Sequence, residues 1–126
     1  MTRNTDIETL KRRARTCAES HTTWVYERNY AGPTTQRYIA VREPTEGELG
    51  YTRLFTHDYE QLIDCSPAVA RRHLRLLVAA GFLQERKTAG GCTSWYIRDH
   101  DERAAIGRRI IEKLKAQGLQ FDDERA

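Results

Sequence analysis

The chain reads as a mainly α protein with a small antiparallel β-sheet. Three observations predict this. Helix-start residues stand ahead of apolar stripes at three- and four-residue spacing near residues 5, 66 and 99. Two strand-like runs, Phe82 to Lys87 and Thr93 to Ile97, flank a glycine-rich break. At 126 residues the chain has the length of a single domain, 1–126, with a real but small core.

The first element is a helix over 6–19. Thr5-Asp6-Ile7-Glu8 has the Thr-x-x-Glu form of a capping box, in which the two side chains satisfy each other's free backbone donors. Ile7, Leu10, Ala14 and Cys17 follow as one apolar stripe, with Lys11, Arg12, Arg13 and Arg15 mostly off it. Such a helix either lies on the core or forms a dimer seam.

Residues 22–55 read as an extended elaboration. In "TTWVYERNY", Trp24, Tyr26 and Tyr30 share one face of a strand, and with Tyr38 they suit either a core or a partner surface. Ala31-Gly32-Pro33 breaks the run. "RYIAVRE" and "LGYTRLF", separated by "PTEGE", are spaced for a hairpin.

From residue 56 the signals sharpen. Thr56 is placed to cap a short helix, "HDYEQLID", with Asp58 near its positive end. After Asp64-Cys65, Ser66 caps a second helix over 66–80, and Pro67 takes its first position, where a missing N–H costs nothing. Gly81 suits a left-handed helix end. The strands at 82–97 then close on "TAGGC". A last helix over 101–118 starts at Asp99 or Asp101, carries Ile106, Ile110 and Leu114, and stops at Gly118. The acidic tail "QFDDERA" is expected to fray.

Several function classes fall away. The sequence has no P-loop, GxSxG, HExxH or dinucleotide-binding glycine set, so no enzyme is expected. His21, His57, His73 and His100 lie apart, and Cys17, Cys65 and Cys92 show no ligand spacing, so neither metal nor cofactor is expected. Cys65 and Cys92 are placed for redox sensing only if they lie near a binding surface. The N-terminus lacks a signal-type apolar segment and the longest apolar run is Leu76 to Leu83, which together suggest a cytoplasmic protein without membrane contact.

The helix at 66–80 has two unlike faces. At about 100° per residue, Ala70, Leu74 and Leu77 form a core side with His73 and Ala80 at its margin. Ala68, Arg71, Arg72 and Arg75 share the far side, with Val69 and Leu76 at its shoulder. From Ser66 to Arg98 there are six basic residues and one acid, Glu85, although the whole chain carries only +3. An ordinary solvated helix mixes signs and gains from acid–base pairs. A one-signed face invites a polyanion. Ser66 and Ala68 are small enough for close approach, Arg86, Lys87 and Thr88 could reach phosphates, and Gly90 and Gly91 could bring backbone amides to one.

"SPAVARRHLRLLVAAGFL", followed by a hairpin closing on "SWYI", resembles a winged helix-turn-helix of the bacterial ArsR/MarR type, here with N- and C-terminal flanking helices. The resemblance covers about a third of the chain, residues 55–97. It departs from the pattern at Asp64-Cys65, where a glycine is common, and at Ala70, where a larger core residue is usual. It implies a sequence-specific transcriptional regulator or repressor on double-stranded DNA, with the 66–80 helix in the major groove and the 82–97 wing on the backbone or minor groove. By the same resemblance Ala68, Val69, Arg71 and Arg72 would face bases, while Arg75 and the wing would hold the backbone. A homodimer through the first and last helices would set two such helices one DNA turn apart. The competing expectation is a protein-interaction module, an adaptor or inhibitor, whose basic face meets an acidic protein.

Overall fold

The computed structural model describes residues 6–32, 36–45, 52–87 and 89–122. Four helices and two three-stranded sheets make a mixed α/β architecture: α1 (Ile7–Glu19), β1 (Val25–Tyr30), β2 (Gln36–Val41), β3 (Arg53–Phe55), α2 (Thr56–Ile63), α3 (Pro67–Ala79), β4 (Leu83–Lys87), β5 (Thr93–Ile97), α4 (His100–Ala116) and β6 (Gln120–Phe121). One sheet has the order β3-β5-β4, all antiparallel; the other has the order β1-β2-β6, with β6 parallel to β2.

The start of α1 differs from the expected box. Thr5 lies outside the described residues, and the cap is Asp6, whose Oδ2 accepts from the backbone N–H and hydroxyl of Thr9 at 3.2 and 3.1 Å. Glu8 therefore sits too early to close a box, and it pairs with Lys11 instead. The stripe Leu10, Ala14 and Cys17, joined by Ala18, is buried. It packs with Leu54, Tyr59, Leu74, Leu77, Trp95 and Ile106 in the main core. The α1 stripe that suggested a dimer seam is thus buried within one chain.

The hairpin expected between "RYIAVRE" and "LGYTRLF" does not form. β2 pairs with β1, from Val25 opposite Val41 to Tyr30 opposite Gln36. In the described part of the second run, Arg53–Phe55 is a strand, and it joins the other sheet because Leu54 sits opposite Trp95, both fully buried in the main core. The expected common face of Trp24, Tyr26 and Tyr30 also splits. Trp24 precedes the strand and packs on α4, where a Cβ on Gly107 would come within 2.5 Å of its ring. Tyr26 stays at the surface. The tail does not fray at once: Leu119 is buried with Val25 and Ile39 in a second, smaller core, and Gln120–Phe121 pair with Tyr38–Ile39. Ile110 of α4 packs against both cores.

Around α2 and α3 the local signals and the structure agree closely, with one exchange. Phe55, not Thr56, stands at the N-cap of α2, because the Thr56 hydroxyl is engaged by the Trp95 indole N–H at 3.0 Å. Asp58 reaches back to the Phe55 N–H at 2.7 Å. Asp64 ends the helix at φ +53°, a left-handed conformation where glycine is easier. Ser66 Oγ accepts from the Val69 N–H at 3.2 Å, with Pro67 as the first helical residue. At the far end Gly81 takes φ +80°, and the Phe82 and Gly81 N–H groups reach the Leu77 and Val78 carbonyls, the double bond of a Schellman turn. Asp99, one of the two expected caps, starts α4 by accepting from the Asp101 and Glu102 N–H groups.

Candidate nucleic-acid interface

The inward side of α3 is fixed by burial. Ala70, His73, Leu74 and Leu77 are buried. His73 is a member of the core rather than a margin residue. Its Nδ1 lies 2.9 Å from the Tyr59 hydroxyl, which also accepts from Arg13 at 3.3 Å. With Arg13 donating to it, the tyrosine donates to Nδ1, which fits a neutral imidazole. Burial pushes the His73 pKa down, and the charges of Arg72 and Arg13 act the same way. Burial pushes Tyr59 up. This chain of contacts ties α1, α2 and α3 together.

The outward side is the reverse. Ala68, Arg71, Arg72 and Arg75 are exposed, Val69 is half-buried, and Ser66 is exposed at the start. Ala68, Arg71, Arg72, Arg75 and Leu76 line one shallow concavity. Among the described residues no carboxylate pairs with these three arginines. Elsewhere the chain does pair its arginines. Arg15 holds Glu102 through two bonds of 2.6 and 2.8 Å, and Glu19 is shared by Arg109 and Lys113.

Immediately after the Gly81 turn, the β4–β5 hairpin carries the other expected contacts, outside that concavity. Arg86 and Lys87 are neighbours on β4, so the pleat sends them to opposite faces. Arg86 lies with its guanidinium 5.6 Å from the Tyr96 ring centre. Arg53 of β3 donates to the Tyr96 hydroxyl at 3.3 Å, and this bond leads in holding that phenol below its ordinary pKa. Arg53 thus joins Arg86 on the outer face of the sheet. The sequence held no signal for it, because β3 meets β5 some forty residues later. Lys87 is exposed on the other face. Thr88 lies outside the described residues. At the tip, Gly90 and Gly91 are exposed and only Gly91 has a positive φ, +84°, with open space where a Cβ would stand. Cys92 is exposed beside them, whereas burial raises the Cys65 thiol in the α2–α3 turn and, with most effect, Cys17, to about 12.

Among the described residues no three His, Cys, Asp or Glu side chains gather as a metal site. No helix there is long and apolar enough to cross a membrane. Set against protein-family models, curated proteins and solved structures, the chain matches none.

Proposed function

We propose that this protein is a winged helix-turn-helix regulator that reads double-stranded DNA. The observation that carries the reading is the outward face of α3, with Arg71, Arg72 and Arg75 exposed and, among the described residues, without acid partners, on a helix whose other side is locked into the core. A helix fits the major groove, and arginine is the side chain best shaped to grip guanine there with two parallel bonds. Ala68 and Ser66 keep the entering end of the helix slim. Arg75, Arg86 and Lys87 supply phosphate contacts, and the Gly90-Gly91 tip lets backbone approach the duplex.

One copy of the protein covers one half-site. Selection of bound fragments from a genomic library, followed by footprinting, tests it: a preferred site with protection over a few base pairs per copy supports it. A palindromic footprint would add a second copy, paired through surfaces other than the filled stripe of α1. Binding without any preferred fragment, or none at moderate salt, would favour the protein-interaction reading. That reading has one observation of its own, Leu76, 37% exposed beside the arginines, where an acidic partner could place an apolar anchor.

A further inference from the structure

Between the first half of α4 and the strands β1 and β2 lies a cavity of about 360 Å³. That is the size of small-molecule sites, which are mostly apolar with a few convergent polar groups. Here Trp24, Val41, Ala104 and Ile111 supply apolar wall. Val41 is 51% exposed, a large apolar surface for one residue to leave uncovered. Trp24 is held against Gly107, so this wall is preformed.

Of two polar features here, the second marks what would complete the cavity. The Trp24 indole N–H is buried, and among the described residues nothing accepts from it. That N–H is closed to solvent, so it reports on what packs around the Trp24 ring rather than reaching into the cavity. The rim carries two fixed cations, Arg103 and Arg108, beside His100, against a single acid, Glu43. Arg108 is exposed and has no ion pair among the described residues. Arg103 donates from Nε and Nη2 to the carbonyls of Ile97 and Arg98, which leaves its Nη1 for another partner.

We infer that this cavity binds a small amphipathic carboxylate, with its apolar body against Trp24 and Ile111 and its carboxylate toward Arg108 and Arg103. A guanidinium matches a carboxylate in plane and charge, and the apolar wall rewards a hydrocarbon body. A neutral apolar compound would leave the rim unanswered, and a free inorganic anion would leave the wall wet. The inference stands whether or not α3 reads DNA.

Calorimetry on the full chain with 1-naphthoate and its neutral counterpart 1-naphthamide tests it. The expected result is saturable one-to-one binding of 1-naphthoate, at least tenfold tighter than the amide. Arg108→Ala should remove most of that preference, and Ala104→Leu, which fills the cavity, should abolish binding. No saturable binding of 1-naphthoate, equal affinity for the two probes, or wild-type binding by Ala104→Leu would overturn it. A second readout on the unaltered chain is the indole N–H resonance of Trp24. It should move on addition of 1-naphthoate, and a resonance unmoved at saturation would sink the proposal even if a variant misfolds.

Discussion

The α1–α4 contact and the outward face of α3 use the same residue type in opposite ways. Where α1 meets α4, arginines are matched: Arg15 with Glu102, Arg109 with Glu19. On α3, three arginines within five residues face outward, and among the described residues none of them has an ion pair. A chain that pairs guanidinium groups between α1 and α4 leaves this helix face without an ion pair among the described residues, and a whole-chain charge of +3 averages that contrast away. Local sign, taken one helix face at a time, carries the information that the total loses.

The comparison can be broken most sharply across α3 itself. Leu74→Ala should lower stability by about 2–5 kcal/mol, since Leu74 is fully buried and truncation leaves a hole. Its neighbour Arg75 is exposed, and Arg75→Ala should stay within about 0.5 kcal/mol in the same urea titration. If the two cost alike, the two-faced description of α3 fails. Next in size, Arg72→Ala should weaken the selected DNA site by about 1–3 kcal/mol and relax its sequence preference, read by gel shift against single-base variants.

On the inward side, Tyr59→Phe removes the donor to His73 and should cost about 1–3 kcal/mol in thermal or urea unfolding. The same contact sets a pH dependence. His73 has its folded-state pKa held below the ordinary 6.5, chiefly by burial. The unfolded chain therefore takes up a proton first. Stability is full above about pH 6.5 and falls as the pH drops from there toward the folded value. Urea midpoints from pH 7.5 to 5 should show this slope in the wild type and a smaller one in His73→Gln.

A smaller effect is expected at the paired site. Glu102→Gln should lower stability by about 1 kcal/mol, because the Arg15 pair is two-bonded and only partly exposed. The hydrogen bond from Arg15 leads in holding the Glu102 carboxyl below its ordinary 4.5. The wild type should keep this contribution above that pH and lose it as acid carries the pH through the folded value, whereas the variant has none to lose. Smallest of all, Lys87→Ala should weaken binding to every DNA sequence alike. It should reduce the slope of log affinity against log salt by about 1.

What the sequence revealed follows the range of the interactions involved. The cap at Ser66, the proline at 67 and the left-handed ends at Gly81 and Gly118 are set by residues three to six apart, and all are in place. So is the split of α3 into faces, which only needs the helical period. The β4–β5 hairpin was legible as well, but the long-range strand partners were not. Leu54 finds Trp95 in the main core and Ile39 finds Phe121 at the smaller one, contacts that no local spacing describes. Thr56 shows the same limit within a cap: its hydroxyl was free to cap α2 until the Trp95 indole, thirty-nine residues away, engaged it. Arg53 was passed over for that reason, since its place beside Arg86 and Tyr96 exists only once β3 has met β5. The helical wheel places His73 at the core margin, one step from its buried position, because its partner Tyr59 lies on another helix.

The parallel pairing of β6 with β2 has a consequence in time. Tyr38 and Gln120 are separated by most of the chain, so their contact closes a very large loop and contributes only after the main core has brought α4 into place. On the ribosome, β2 is synthesised long before residues 120 and 121 emerge. Throughout that interval one edge of its ladder, Tyr38 and Ile39, stands without the strand that will cover it, which is the condition under which nascent chains pair with one another. The two-residue strand β6 therefore also covers that stretch of edge once it arrives.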